Sequence, residues 1–188
     1  MRTPFVRIAV LAVGLVTLAI GASGQSASDA ELESQLKKLF PSAATFSAKT
    51  GSPAHYKAFG PGGESELLGL AYWTTELEPL ERGFDGPIKM LVGLNPAGEI
   101  AGVIVTDHRE PYGYFSVDLP EWPRQFEGKS IREAFKVGAD VDAISRATIT
   151  VTSASRAIRN SSRKIARAHL APPTAPAAGT PTAAATAQ

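Results

Sequence analysis

The stretch Ile88-Lys89-Met90-Leu91-Val92-Gly93-Leu94-Asn95-Pro96-Ala97-Gly98-Glu99-Ile100-Ala101-Gly102-Val103 decides the fold. Two apolar runs of strand length, Ile88–Leu94 and Ile100–Asp107, flank Asn95-Pro96-Ala97-Gly98, a composition that reverses the chain tightly. Upstream, Ala54–Phe59 and Glu66–Thr75 read as two more strands across the turn-rich Gly60-Pro61-Gly62-Gly63. Strands that follow one another through short turns pair antiparallel, so the middle of the chain predicts an antiparallel sheet.

Helices are expected on either side of it. Ser28-Asp29-Ala30-Glu31 has capping-box spacing, and Leu32, Leu36, Leu39 and Phe40 then recur on one helical face before Pro41. Ser130-Ile131-Arg132-Glu133 is a second capping box, expected to open a short helix. A final helix is expected over Ser153–Ala168. Ala154, Ile158, Ser161 and Ile165 form its inner stripe, and Arg156, Arg159, Arg163 and Arg167 form a face read as solvated, with docking of an acidic partner or a lipid headgroup as the alternative. Residues 109–128 are rich in proline, glycine and aromatics, a loop long enough to be functional or to cover something. The expected class is α+β: a small antiparallel sheet flanked by helices.

The ends read differently from the middle. Arg2 and Arg7 precede an apolar run from Ile8 to Ala22, and the small residues Ala22-Ser23-Gly24 suit cleavage before Gln25. The run falls short of the roughly 20 residues of a membrane span. An export signal over 1–24 is therefore expected, with a retained N-terminal anchor as the alternative. A domain over 25–170 follows, then an Ala/Pro/Thr-rich tail over 171–188 with a composition that favours disorder. The expected location is periplasmic.

Composition removes several chemistries. The chain has no cysteine, which excludes iron–sulfur clusters, thiol redox chemistry and acylation of a lipoprotein thiol. His55, His108 and His169 are far apart in sequence and lack metal-ligand spacing. A formal net charge of +1 on an exported chain argues against nucleic acid as a partner. Neither a phosphate loop nor a nucleophile elbow is present. The charge is uneven, however: no acidic residue follows Asp142.

Asp142-Ala143-Ile144-Ser145-Arg146-Ala147-Thr148 carries the functional reading. It resembles the Asp-x-x-Ser/Thr-Gly-Ala-Thr motif of the bacterial FMN-binding domain family, in which FMN is esterified to the last threonine, here Thr148. The hairpin from Gly86 to Val103 is similar to that family's hairpin. His108-Arg109-Glu110-Pro111 resembles its His-x-Glu-Thr-Pro-Gly turn. The similarity extends over most of Leu32–Ala168. It reads as closest to the periplasmic flavin domain of NosR-type regulators of nitrous oxide respiration, through Leu39-Phe40-Pro41, Glu110–Ser116 and Val137–Asp142. The flavin subunits of Rnf complexes and of Na+-translocating NADH:quinone oxidoreductase are more distant. NosR-type proteins continue into transmembrane helices and cysteine-bound iron–sulfur centres, so a free-standing form of the flavin domain is expected here.

The resemblance implies a covalent FMN phosphoester on Thr148. An FAD:protein FMN transferase would be one partner, and a membrane or periplasmic redox protein another. A phosphodiester keeps one negative charge, and a threonine at the entrance of the final helix offers it free amides and a positive dipole end. Arg146 supplies a cation, Ser145 a hydroxyl donor, and Ala147 leaves room for close approach. Asp142 reads as part of the transferase's recognition signature, as a polar turn residue, or as a partner for Arg146. His108 and Glu110 read as cofactor-facing or as a polar strand exit. Tyr112, beside Gly113, reads with Tyr114 and Phe115 as a stacking surface or as loop anchors. Glycine is commonest in the family at the position of Arg146, although NosR-like members carry arginine. Trp73 and Trp122 read as packing. The expected role is extracytoplasmic electron transfer without catalysis of its own, with nitrous oxide reductase as a candidate acceptor system. A redox-sensing or accessory module and a flavin-free binding domain are the alternatives.

Overall fold

The computed structural model describes residues 22–170, with side chains from Ser28 onward. Most of the export-signal segment and the whole 171–188 tail therefore lie outside the described residues. Helix α1 (Ala22–Leu39) leads into a five-stranded sheet: β1 (Thr45–Phe46), β2 (Tyr56–Phe59), β3 (Leu67–Trp73), β4 (Lys89–Leu94) and β5 (Ile100–Asp107). One turn of helix, α2 (Thr74–Leu77), follows β3. A single turn, α3 (Glu121–Arg124), interrupts the long loop after β5, and α4 (Thr148–His169) closes the fold. The strands stand in chain order and every neighbour is antiparallel, so the sheet is a meander. The expected α+β architecture holds. No helix among the described residues is long and apolar enough to cross a membrane.

Both faces of the sheet are covered. On one face Leu70 and Tyr72 of β3 and Met90, Val92 and Leu94 of β4 join Trp122, Phe126, Val151, Ile158 and Ile165 in the larger core. On the other, Ala58, Ala71 and Leu91 meet Leu36 and Leu39 of α1 and Phe40 just after it. Alternate residues of β4 thus enter different cores, which is why the strand reads as an unbroken apolar run instead of an alternating one. Glycines set how closely α1 approaches. A Cβ on Gly69 would lie 2.5 Å from the Phe40 ring, and one on Gly102 would lie 3.0 Å from Leu39. Gly93, paired with Gly102, lies between them under the same ring. The end of α1 rests in this trough.

Several local expectations need correction. Helix α1 begins at Ala22, so Ser28 and Glu31 lie within it and do not cap it; Glu31 instead accepts a hydrogen bond from Gln35 one turn on. The second capping box forms its bonds, Ser130 N to Glu133 Oε1 at 2.7 Å and Arg132 N to Ser130 Oγ at 3.3 Å, but no helix follows. Ser130 is held instead as a bridge partner of Glu99. The arginine face of α4 is not merely solvated. Arg159 donates to the Ala134 carbonyl, and Arg163 to those of Ile131, Arg132 and Glu133, so two guanidiniums pin a loop that lacks helical bonds of its own. His55 and His169, remote in sequence, have ring centroids 4.1 Å apart, and both bond the Pro53 carbonyl. No group of three or more metal-ligating side chains occurs among the described residues.

Candidate functional site

Helix α4 starts at Thr148, five residues earlier than its apolar stripe suggests, so the motif threonine is its first residue and not its lead-in. Ala147 occupies the cap position and has no side chain able to accept from the first-turn amides. The first turn contains no acidic residue either. A 22-residue helix thus presents an N-terminus with no side-chain cap, where the dipole and the free N–H groups favour an anion. Thr148 is exposed, as are Ser145, Arg146 and Asp142. Ala147 is buried and donates its amide to the Ile144 carbonyl, which turns the chain into the helix.

Arg146 has φ of +69°, in the left-handed region. A side chain there costs roughly 1–2 kcal/mol relative to ordinary helical backbone. Glycine, the commoner residue of the resembling motif, would adopt it freely, at some cost in unfolded-chain entropy. Arg146→Gly is therefore expected to stabilise the domain by about 0.5–1 kcal/mol, read as a rise in the urea midpoint at unchanged slope. Among the described residues no ion pair links Asp142 to Arg146. Asp142 is placed through its backbone, whose amide donates to Gln125 Oε1 at 2.7 Å.

The turn after β5 reaches the same end of α4. Glu110 is buried, and its carboxylate accepts from the amides of Phe84 at 2.9 Å and Asp85 at 3.0 Å, and from the hydroxyl of Thr150. One carboxylate therefore joins the 83–86 loop to the first turn of the helix. Gly83 makes room for it, since a Cβ there would lie 2.5 Å from Glu110 Oε1. Burial opposes the charge on Glu110, but the Thr150 hydroxyl and the two amides outweigh it and hold the carboxyl below its usual range. A group whose pKa falls on folding stabilises above its unfolded value and loses that contribution as pH falls through the folded value. Stability is expected to decline below about pH 4.5, the ordinary carboxyl value, and Glu110→Gln should flatten that part of a pH series of denaturant melts.

His108 is held from both sides. Its Nδ1 accepts the Glu110 amide at 3.0 Å, so the proton sits on Nε2, which donates to Asp118 Oδ1 at 2.7 Å. Buried Gly113 lies beneath this ring, where a Cβ would stand 2.1 Å from its Cε1. His108 and Gly113 thereby shape the loop that carries the aromatics. Within it, Tyr112 and Tyr114 flank Phe115 with ring centroids 5.4 and 4.8 Å away, and both tyrosines remain exposed. Phe84 and Ile149 are exposed as well, so the loops that Glu110 ties to α4 present apolar side chains to solvent around its first turn. Trp122 belongs to the core, as expected, and Trp73 carries the Lys89 ammonium 4.5 Å above its ring.

Sequence reasoning missed the partners of this arrangement: Thr150, Asp118, Gly83 and the amides of 84–85. It also missed Glu81, which receives Ser153 Oγ at 2.9 Å and Arg156 Nη2 at 2.7 Å and fastens the preceding loop to the second turn of α4. The Thr-x-Thr spacing of Thr148 and Thr150 was a visible but unread signal. A cavity of about 760 Å3 lies at the other end of α4, among Gly98, Glu99, Ile131, Ala166 and Leu170. At 1.5 Å per residue the helix carries that end roughly 30 Å from Thr148. The threonine stands on an open surface, as a side chain must if it is to enter another protein's active centre.

Residues 83–163, which run from Gly83 into the second half of α4, match the family described as the FMN-binding domain. The chain is similar to that family over this segment. It is related to proteins named as one of the subunits of an ion-translocating oxidoreductase complex. With that of Haemophilus influenzae (strain PittEE) it shares 33% identity over 113 residues, 55% of this chain and 51% of the relative. With those of Shewanella baltica (strain OS223) and Vibrio parahaemolyticus serotype O3:K6 (strain RIMD 2210633) the values are 35% and 33% over 88 residues, 42% of each chain. The chain spans about half the length, or less, of these curated relatives. The Asp142–Thr148 motif, the His108–Gly113 turn and most of α4 fall inside the matched segment.

Proposed function

We propose that the protein is an exported flavoprotein with FMN esterified through its phosphate to Thr148, and that it serves in electron transfer. The observation that carries this reading is the N-terminus of α4: an exposed threonine hydroxyl at the first helical position, with no side-chain cap and no acidic neighbour in the turn. Such an end suits a phosphodiester anion, and the exposed Arg146 guanidinium adds positive charge nearby. The residues present fit the group.

Thr148 is a substrate in the loading step. Its oxygen forms the bond to the FMN phosphorus of FAD, the pyrophosphate bond to AMP breaks, AMP leaves, and the hydroxyl proton is released. A separate FAD:protein FMN transferase performs that step. Bound flavin supplies one- and two-electron redox chemistry, while the protein contributes position and electrostatics. Ala147 and Thr148 hold the attachment point on the rigid helix. Glu110 keeps the neighbouring loop in place, and exposed Phe84, Tyr112 and Ile149 leave an apolar surround open to a redox partner. The similarity to subunits of ion-translocating oxidoreductase complexes favours a membrane-associated donor. The NosR-like stretches favour a place in nitrous oxide respiration, between a membrane oxidoreductase and a periplasmic reductase.

Co-expression with such a transferase followed by peptide mass spectrometry tests the reading. The expected result is FMN less one water on the Thr148 peptide. A colourless protein with an unmodified threonine would leave only a flavin-free binding domain.

A further inference from the structure

We infer that Glu110 is a positioning residue for the loading of Thr148: through Thr150 and the 84–85 amides it locks the first turn of α4 and the adjacent loop into one surface that the modifying enzyme engages. This rests on the reading of Thr148 as the attachment point, and it concerns a residue that acts on that hydroxyl only through others.

Three observations carry it. Glu110 is only 6% exposed, and three donors from two separate segments converge on its two oxygens. That convergence leaves little of the carboxylate to offer a ligand. Thr150, the donor from α4, sits two residues past Thr148 within the same turn, so its side chain fixes the turn on which the attachment hydroxyl stands. Finally, α4 has no side-chain cap and no acidic residue in its first turn, and Glu110 brings a negative charge to that end from another part of the chain. The charge reaches the helix from its buried side, through a hydroxyl, and leaves the outward amides free for a second anion.

A carboxylate in this place has a specific consequence for loading. Without it the Phe84 and Asp85 amides and the Thr150 hydroxyl lose their common acceptor, and loop and helix turn are no longer held together. The attachment hydroxyl remains chemically intact, but its surroundings fluctuate. Transfer should then slow at saturating protein acceptor more than apparent affinity for the acceptor falls, because orientation within the complex is what is lost.

The test uses the full chain, purified without flavin, with FAD and an FAD:protein FMN transferase. Initial transfer rates are measured over a range of acceptor concentrations, and thermal melts accompany each variant. Wild type, Glu110→Gln, Thr150→Ser, Thr150→Val and Thr148→Val are compared. The expected result is a tenfold or greater fall in maximal rate for Glu110→Gln and Thr150→Val, with a smaller change in apparent KM. Thr150→Ser keeps the donating hydroxyl and should load within twofold of wild type. If Glu110→Gln does not fold, the contrast between Thr150→Val and Thr150→Ser decides. Wild-type rates in folded Glu110→Gln, or equal rates in the two Thr150 variants, would overturn the inference. Failure of wild type itself to load, like Thr148→Val, would instead overturn the attachment reading.

Discussion

Thr148→Val will abolish covalent flavin while leaving the fold in place. Valine matches threonine in shape and lacks only the oxygen that bonds to phosphorus. Thr148 is exposed, at the first position of α4, and no buried partner depends on its hydroxyl. The stability change should therefore stay within about 0.5 kcal/mol, the usual range for surface substitutions. Protein matured beside a transferase should be yellow as wild type, keep its colour after denaturation and precipitation, and gain the FMN mass. The valine variant should be colourless and unmodified, with an unchanged melting curve. Covalent flavin appearing on the valine variant would move the attachment elsewhere. Thr148→Ser retains a hydroxyl and should still be loaded, more slowly, because serine lacks the methyl group that restricts the χ1 rotamer.

Ile158→Ala will produce the largest loss of stability among the changes considered. Ile158 is fully buried at the middle of α4, against the larger face of the sheet. Truncation removes three carbons from a packed interior and leaves a cavity, at a cost of about 3 kcal/mol. For a domain of this size that corresponds to a fall in melting temperature of roughly 6–12 °C. Heat-induced loss of circular dichroism measures it directly. A change of a degree or two would mean that α4 is held mainly by its polar clamps, Glu78–Lys164 and Glu81–Arg156, and not by its apolar stripe. Each clamp has an exposed cation, and surface pairs contribute up to about 1 kcal/mol each, which is why the packing term should win.

The sequence was legible wherever one periodicity served one surface. The inner stripe of α4 and the Leu36–Phe40 stretch followed from spacing, because each faces a single packed layer, and the β4–β5 hairpin followed from two unbroken apolar runs about a turn. Strand β1 is only two residues long and offers no pattern to read. The start of α4 was obscured by Thr148-Ile149-Thr150-Val151, a β-branched run of low helix propensity. Packing decides there: Val151 is fully buried in the larger core, and Thr150 has a partner 40 positions upstream. Capping-box spacing misled twice, since the same residue order serves a helix interior at Ser28 and a bridged turn at Ser130.

The candidate site was readable in its labels and unreadable in its wiring. Thr148 and the residues before it stood out as a motif. Glu110 was noticed as a polar residue beside them, but its three donors lie at 84, 85 and 150, and no local spacing connects those positions. The left-handed conformation of Arg146 was hinted at only by glycine's prevalence in the resembling motif. His108 acquires its tautomer from a backbone amide two residues away and a carboxylate ten residues away, a geometry that only folding supplies.

Both cores are built from the chain's own side chains, and the motif threonine belongs to neither. On the proposed attachment, colour and architecture are separable properties of this molecule. A stock of finished, colourless domain would then await its pigment, and the oxidised-to-reduced traffic proposed for it would be governed by how fast that stock is tailored. Supply of the dinucleotide outside the cell's interior, and not synthesis of the polypeptide, would then set the working population.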